Sequence, residues 1–252
     1  MRVVTLRALA DNYVFVLEDE GGASAAVVDP GDARPVLAHL QRGSRRLRAI
    51  LLTHFHSDHV GGVRGLLEEF PGVPVIAGAD EKGRVPGQTN RVTDGDEVVA
   101  AGARARVLEV PGHTRGHVAY FFPDDAGDGG DLFSGDTIFG GTVGNLFEGT
   151  PEVMFQSVRK IRALPLGTRI WCGHEYTLQY VREAARLDPG NARLAERRRR
   201  LEAASRTTPT VPLLLEEERA TNPFFRWDDE ALAAHLGTPP GEATFRRLCD
   251  IT

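Results

Sequence analysis

Four side chains that can bind metal ions lie close together between residues 54 and 59. His54, His56, Asp58 and His59 occupy four of six consecutive positions. Imidazole and carboxylate groups are ligands that proteins offer to zinc, iron and manganese. Alternate residues of an extended segment point the same way, so His54 and His56 can bind one ion. A turn after them would direct Asp58 and His59 toward a second ion, and the segment therefore predicts a metal site.

Three further candidate ligands occur later in the chain. His113 lies in PGHTRGH, Asp136 in SGDTIF and His174 in GHEYT. Each follows a glycine, as expected for side chains in a crowded site close to the backbone. An isolated histidine of this kind is more typical of a structural residue. Together with the first four residues, however, the three favour a single metal centre.

The residues that precede these motifs predict the strands that would position them. The apolar run 47–52 (LRAILL) predicts a buried strand that leads directly into the first motif. Further strands are predicted at 3–6, 13–17, 25–28, 73–77, 104–110, 118–122, 131–133 and 169–172, and helices at 33–41, 63–70 and 151–163. Catalytic residues at the ends of buried strands are typical of a layered α/β architecture.

Helical patterns dominate the chain after Glu175. They cover residues 176–187, 192–205, 213–220, 228–236 and 243–248. We therefore predict a catalytic domain at 1–175 and a small helical domain at 176–252. The basic run Glu196–Arg200 falls within one of these helices, and we interpret it as a solvated helix face.

Composition restricts the classes of function. The 252 residues carry 30 Lys and Arg against 35 Asp and Glu, a net charge of -5, which does not favour nucleic-acid binding. No apolar stretch reaches the roughly 18 to 20 residues of a membrane helix, and no secretory signal is visible. The two cysteines, Cys172 and Cys249, form no paired pattern, so we expect free thiols. We expect a cytoplasmic monomer that binds neither nucleic acid nor a membrane.

The motifs resemble, in order and spacing, those of the metallo-β-lactamase superfamily, and most closely those of the glyoxalase II (hydroxyacylglutathione hydrolase) family. The resemblance covers essentially the whole chain through ADNY, VDPG, THFHSDHVGG, PGHTRGH, SGDTIF, FEGTP, GHEYT, DPGN and TNPFFRW. The HxHxDH pattern marks only the superfamily, whereas GHEYT, FEGTP and NPFFR point to glyoxalase II. The implied fold is α/β: the metallo-β-lactamase αββα sandwich with a small C-terminal helical domain.

The resemblance implies a centre with two divalent metal ions, zinc foremost, with iron or manganese as alternatives. The implied ligands are His54, His56 and His113 for the first ion, Asp58, His59 and His174 for the second, and Asp136 as the bridge. A bridging carboxylate suits the roughly 3.5 to 4 Å spacing of two-metal hydrolases. Asp29 would support a ligand from outside the coordination sphere, and His117 would have a supporting or packing role.

The implied activity is hydrolysis of S-(2-hydroxyacyl)glutathione, such as S-D-lactoylglutathione, to a 2-hydroxy acid and a free thiol, as in methylglyoxal detoxification. Two divalent ions lower the pKa of a shared water from about 15.7 toward about 7, so hydroxide is available at neutral pH. Asp58 and Asp136 are the catalytic candidates, because they would hold the ions around this hydroxide. No serine or cysteine nucleophile is needed, and no GxSxG motif occurs.

The positions expected to bind the thiol carrier depart from the family pattern. Asn145 occupies the place of a Lys or Arg, and Phe147 lacks the hydroxyl of a tyrosine, whereas Tyr176 is retained. Arg246 and Arg247 are candidates for the family's C-terminal cations. Each missing charged hydrogen bond would weaken glutathione binding roughly 10- to 100-fold. We therefore expect intact hydrolytic chemistry with a weakened or altered preference for the carrier.

Three alternatives remain open from sequence alone. The first is an iron persulfide dioxygenase of the same superfamily, which uses one metal and would not require Asp58, His59 and His174 together. The second is a hydrolase for the acyl thioester of another thiol. The third is a catalytically silent metal-binding protein, which the presence of all seven candidate ligands disfavours.

Overall fold

A computed structural model describes residues 1–81, 83–205 and 207–252. Its strands are β1 (Arg2–Ala8), β2 (Asn12–Glu18), β3 (Ser24–Val28), β4 (Arg46–Leu51), β5 (Val75–Gly78), β6 (Asn90–Val92), β7 (Glu97–Ala100), β8 (Ala103–Glu109), β9 (Val118–Pro123), β10 (Gly129–Gly135), β11 (Ile138–Phe139), β12 (Thr142–Val143), β13 (Gly167–Cys172) and β14 (Leu213–Leu214). Its α-helices are α1 (Ala33–Arg42), α2 (Ser57–Val60), α3 (Val63–Glu69), α4 (Pro151–Arg162), α5 (Thr177–Leu187), α6 (Ala192–Ala203), α7 (Leu215–Thr221), α8 (Glu230–Leu236) and α9 (Glu242–Ile251). Short 3-10 helices lie at Ala79–Glu81 and Pro223–Phe225.

Two six-stranded sheets and a small hairpin contain these strands. The first sheet runs β1 to β6 in chain order, antiparallel from β1 to β3 and parallel from β3 to β6. The second sheet has the order β14-β13-β10-β9-β8-β7, and β11 pairs with β12 separately. Every strand predicted from the sequence is present, to within a few residues at each end. Strands β6, β7, β11, β12 and β14 were not predicted.

Strand β2 shows how the layers form. Its alternate residues Tyr13, Phe15 and Leu17 belong to the large core between the sheets, while Val14 and Val16 face a second core on the other side. Successive side chains of a strand point to opposite faces, so a strand covered on both sides is apolar at nearly every position.

Helices cover the outer faces of both sheets. Residues of α1 and α3 fill the second core with Val14 and Val16, while α4 and α9 contribute to the large core. Helix α4 begins where its sequence dictates, because Thr150 accepts a hydrogen bond from the Val153 amide and Pro151 occupies the first helical position. The predicted αββα sandwich is confirmed.

The C-terminal region packs into the same core as the sheets. Phe224, Phe225 and Phe245 are buried in the large core. Leu213 and Leu214 were predicted to begin a helix, but they form β14, which pairs antiparallel with β13 and extends the second sheet. A two-residue strand carries too little periodicity to be told from the start of the helix that follows it.

The basic run in α6 is not wholly solvated, contrary to the prediction. Arg197 is 1% exposed and forms an ion pair with the fully buried Glu218 of α7. Its Nη1 also donates to Thr221 Oγ1 at 2.7 Å. The run faces solvent elsewhere, as at Arg199, which is 71% exposed.

Within the described ranges, none of the helices combines the length and apolar character needed to cross a membrane.

Candidate metal centre

The seven predicted ligands converge where several strands end. His54 to His59 follow β4, His113 lies between β8 and β9, and Asp136 follows β10. His174 comes two residues after β13, which runs parallel to β10. The segment from His54 to His59 follows a strand of the first sheet and the other ligands follow strands of the second, so the centre spans the two sheets at one edge of the sandwich.

The first group of ligands contains only histidines. One nitrogen from each of His54, His56 and His113 lies within 4.8 Å of the others. His113 Nε2 is 3.1 Å from His56 Nδ1. Three imidazole nitrogens at this separation can bind one divalent ion.

The second group contains Asp58, His59 and His174, whose ligand atoms also lie within 4.8 Å of one another. Asp58 Oδ2 is 3.3 Å from His174 Nε2 and 3.6 Å from His59 Nε2. These are the same two groups that the family resemblance implies.

Asp136 lies between the two groups. Its Oδ1 is 3.3 Å from His59 Nε2, and its Oδ2 is 3.3 Å from His174 Nε2 and 3.6 Å from His113 Nε2. One carboxylate can therefore contact ions in both groups. Gly173 makes room for this arrangement, because a Cβ at that position would come within 2.4 Å of Asp136 Oδ1.

Three buried ligand atoms have no hydrogen-bond partner in the described parts of the chain: His54 Nε2, His59 Nε2 and Asp136 Oδ1. Buried polar atoms without partners are costly, by about 1–3 kcal/mol each. All three point into the space shared by the two groups, so a divalent ion at each group would satisfy them. The residues fit a two-metal centre.

Hydrogen bonds to Nδ1 fix the orientation of four rings. His54 Nδ1 lies 3.0 Å from Thr53 Oγ1, His59 Nδ1 is 3.0 Å from Asp29 Oδ2, His113 Nδ1 is 2.9 Å from Asn145 O, and His174 Nδ1 is 2.8 Å from Asp11 Oδ1. When each Nδ1–H donates to its oxygen, each Nε2 is directed to the centre and can bind a metal once it has lost its proton.

Asp29, predicted to lie outside the coordination sphere, contacts both Thr53 and His59. Its Oδ1 accepts from the Thr53 amide at 2.8 Å, and its Oδ2 accepts from Thr53 Oγ1 at 2.7 Å as well as from His59. With His54 and His59 it also forms a compact group of possible ligands. Since its oxygens are already used by these donors, its role is to hold the segment after β4.

His117 lies against a ligand without joining either group. Its ring stacks on that of His54 at 4.7 Å, and its Nε2 accepts from the Asp136 amide at 3.2 Å. Burial, reinforced by the charge of His113, holds the pKa of His117 well below its usual value. A neutral His117 thus packs the centre and positions the backbone of Asp136.

The carboxylates of the centre stabilise positive charge on the histidines beside them. Burial opposes a charge on His174, but hydrogen bonds to Asp136 and Asp58 outweigh it and raise its pKa to about 10. The pKa of His59 is likewise raised despite burial, because Asp136 and Asp29 lie beside it. Two divalent ions would replace these protons with charge that the histidines need not carry.

A cavity of about 330 Å³ opens onto the ligands. It is lined by His56, Asp58, His113, Asp136, Phe139, Asn145, Phe147, His174, Tyr176 and Tyr180. One wall is formed by Phe147, whose ring contacts His56 and His113 at centroid distances of 5.5 and 5.2 Å. The opposite wall begins with Tyr176, whose ring stacks on His174 at 4.7 Å.

The loop that carries Asn145 and Phe147 is anchored on one side by Glu148. This carboxylate accepts from the Arg115 amide at 2.8 Å and pairs with Arg84 at 2.5 Å. Arg84 also lies over the ring of Phe55 at 3.8 Å. Phe147 remains 65% exposed at the mouth of the cavity, where an incoming molecule can contact its ring.

Arg246 and Arg247 do not line this cavity. Arg246 forms an ion pair with Glu152 at 3.3 Å, and both arginines are exposed on α9. Of the predicted carrier-binding residues, the structure brings only Tyr176, Asn145 and Phe147 to the cavity.

Four residues of the site were missed by sequence reasoning. Asp11 holds His174, and Asn12 Nδ2 donates to Asp58 Oδ2 at 2.9 Å. Both lie in the ADNY segment that carried part of the family resemblance, which was a usable signal. Phe139 is the last residue of the SGDTIF motif, whereas Tyr180, within α5, had no signal of its own.

Comparisons with known proteins agree with this fold and centre. The profile of the Metallo-beta-lactamase superfamily matches residues 9–174. The crystal structure of BLEG-1 B3 metallo-beta-lactamase has a TM-score of 0.67 over 89% of this chain and 99% of that chain, at 22% identity, and thus shares the fold. The crystal structure of TTHA1623 in a di-iron-bound form has a TM-score of 0.63 at 27% identity, over 89% of this chain and 100% of that one. The chain belongs to the metallo-β-lactamase superfamily.

The C-terminal region and the closer relatives define the family within it. The profile named Hydroxyacylglutathione hydrolase C-terminus matches residues 175–251. The hydroxyacylglutathione hydrolase of Gloeobacter violaceus is 52% identical over 98% of this chain and 97% of its own length, and that of Nostoc punctiforme is 48% identical over the same shares. Within the superfamily, the chain is a member of the hydroxyacylglutathione hydrolase, or glyoxalase II, family.

Proposed function

We propose that this chain is a metal-dependent thioesterase that hydrolyses S-(2-hydroxyacyl)glutathione, with S-D-lactoylglutathione as the substrate to test, to a 2-hydroxy acid and free thiol. The observation that carries the proposal is the pair of ligand groups that share Asp136, in a chain 52% identical to a relative named hydroxyacylglutathione hydrolase. A contribution to methylglyoxal detoxification is part of the same proposal.

The centre would hold two divalent ions, with zinc as the proposed metal and iron or manganese as alternatives. Histidine and carboxylate ligands without cysteine accept all three. The TTHA1623 structure, 27% identical to this chain, is described in a di-iron-bound form. When bound, such ions polarise the thioester carbonyl and lower the pKa of water so that hydroxide is available at neutral pH.

The chain's own residues would divide the remaining work. His54, His56 and His113 would hold one ion, and Asp58, His59 and His174 the other, with Asp136 between them. Asp58 and Asp136 would act as the catalytic carboxylates, since their charges fix both ions against the substrate carbonyl. The thiolate leaves readily, so no strong general acid is required. Asp29 and Asp11 would keep the histidine Nε2 atoms aimed at the ions.

The thiol carrier would lie between the two walls of the cavity. We propose that Tyr176, Asn145 and Phe147 contact it. Asn145 and Phe147 offer an amide and an apolar ring where a cation and a phenol are expected, which supports a weakened or altered preference for the carrier. Arg246 and Arg247 are left out of this set, because they lie outside the cavity lining.

Residues 1–175 would form the catalytic domain and residues 176–252 the substrate-binding one. The enzyme would be a cytoplasmic monomer, and the two free thiols, Cys172 and Cys249, suit a reducing compartment. Its partner would be the small thioester, with no nucleic acid or membrane involved.

The test is thiol release from S-D-lactoylglutathione by the purified protein, with metal content measured on the same samples. Asp58→Ala removes a ligand of the second group, and Asp125→Ala changes an exposed aspartate outside the centre as a matched control. The proposal predicts saturable turnover in the wild-type protein and in Asp125→Ala. In Asp58→Ala, kcat/KM should be lower by about 100-fold or more, together with a loss of bound metal.

Absence of turnover by wild-type protein containing two metal ions per chain would contradict the proposal. Acyl thioesters of other thiols, and persulfides with oxygen uptake as the readout, would then be assayed on the same samples. Turnover of either in place of S-D-lactoylglutathione would identify one of the alternatives.

A further inference from the structure

Tyr180 lines the cavity, and the proposed function gives it no role. It lies on α5, four residues after Tyr176. Its ring is 5.8 Å from that of Tyr176 and stacks on Phe139 at 6.3 Å. Phe139 in turn contacts the ring of His174 at 5.9 Å. The second wall is therefore an aromatic surface that extends outward from a metal ligand and ends at Tyr180.

The hydroxyl of Tyr180 is free to bind a ligand. The chain has four tyrosines, and the hydroxyls of two of them are engaged, that of Tyr13 with Glu175 and that of Tyr120 with Leu52 O and Ile76 O. Among the described residues, the hydroxyls of Tyr176 and Tyr180 donate to no acceptor. Burial, together with the nearby charges of Glu183 and Asp136, raises the pKa of Tyr180, so its hydroxyl keeps its proton and acts as a donor.

The position of Tyr180 along α5 decides which part of a substrate it can reach. An α-helix rises about 6 Å over four residues. Tyr176 stacks directly on His174, whereas Tyr180 lies one turn farther along α5 and is joined to His174 through the rings of Tyr176 and Phe139. A three-carbon acyl group held at the ions would lie beside Tyr176, and a longer thiol carrier would then extend toward Tyr180.

We propose that Tyr180 is a specificity-determining residue that donates a hydrogen bond to an amide or carboxylate oxygen of the thiol carrier, beside Tyr176. This inference rests on the proposed function, because it assumes a thioester substrate at the same centre. Tyr180 thereby provides part of the carrier recognition that Asn145 and Phe147 do not supply on the opposite wall.

The test compares wild-type protein, Tyr180→Phe and the matched control Gln179→Ala on two substrates. Gln179 is the exposed neighbour of Tyr180 and lies outside the cavity lining. The substrates are S-D-lactoylglutathione and S-D-lactoyl-ethanethiol, whose short carrier has no amide or carboxylate oxygen for Tyr180 to bind. We expect Tyr180→Phe to raise KM for S-D-lactoylglutathione about tenfold with kcat within about twofold, because a binding contact common to ground and transition states is lost. With the short carrier, kcat/KM should match the wild type, and Gln179→Ala should match it on both substrates.

Two outcomes overturn the inference alone. One is an unchanged KM for S-D-lactoylglutathione in Tyr180→Phe, and the other is an equal loss of kcat/KM on both carriers, which would place the effect at the reacting centre. If the wild-type protein with full metal content turns over neither substrate, the proposed function fails and the inference fails with it.

Discussion

Replacement of Arg197 by methionine would leave the carboxylate of Glu218 buried without its cation. Arg197 and Glu218 are 1% and 0% exposed, and the guanidinium also binds Thr221. Glu218 keeps two donors after the change, the Gly141 amide and Asn222 Nδ2, each at 3.0 Å. These neutral donors do not replace the lost charge, so the carboxylate remains a buried anion.

The expected cost is large relative to the stability of the fold. Breaking one side of a buried ion pair costs about 3–5 kcal/mol, while the whole free energy of unfolding of a domain is about 5–15 kcal/mol. Urea unfolding followed by fluorescence, with unchanged slope and a lowered midpoint, measures this difference. Arg199→Met, on the exposed side of the same helix, is the matched control and should cost less than about 1 kcal/mol.

Activity provides a second readout of the same change. Glu218 holds the backbone of Gly141 between β11 and β12, and Asn222 Nδ2 donates to Thr142 O at 3.1 Å in the same hairpin. The hairpin carries Phe139 into the cavity wall, so Arg197→Met should also raise KM. A double variant with Glu218→Gln should recover part of the lost stability, because no unpaired charge then remains. A loss below about 1 kcal/mol in the single variant would refute this account of the pair.

Two further predictions concern charges around the two sheets. Asp29→Asn should weaken metal binding about 10- to 100-fold, measured by competition with a chelator, because His59 loses its charged acceptor; unchanged affinity would exclude Asp29 as a support. Burial opposes ionisation of Glu18, but hydrogen bonds from His39 and Arg2 lower its pKa below the usual 4.5. Ionised Glu18 therefore adds to the free energy of unfolding above pH 4.5, and this stabilisation is lost as the pH falls through the pKa of Glu18 in the folded protein. Glu18→Gln should therefore unfold at a lower denaturant concentration than wild type at pH 7, and the difference between the two unfolding midpoints should shrink below about pH 4.5. A difference in midpoint that does not depend on pH would contradict this sign.

The seven candidate ligands could be picked out from the sequence because they lie in short motifs at strand ends. The run from His54 to His59 contains four side chains of metal-binding types and directly follows an apolar run that predicts a strand, so a few residues indicate both the chemistry and its position. Arg197 could not be placed in the same way, since nothing in a polar helical segment tells which arginine will meet Glu218 of another helix. Burial of a charge depends on its partner, and the partner here lies 21 positions away.

Residues that support the site could not be predicted from the sequence for a related reason. Asp11 reaches His174 from the tip of the first hairpin, 163 positions earlier in the chain. Tyr180 enters the cavity only because α5 packs beside the β11–β12 hairpin. The spacing of apolar residues predicts which face of a helix is buried, but it does not predict which other element packs against that face.

The location of the ligands in both sheets also has a consequence for biosynthesis. During translation the chain emerges from its N-terminus, so the first histidines are exposed long before His174 is made. The complete set of seven candidate ligands cannot assemble until β13, which precedes His174, has paired with β10. A nascent or truncated chain that ends before His174 could hold an ion only at the first group. Any ion that needs ligands from both groups could therefore bind only after both sheets have formed.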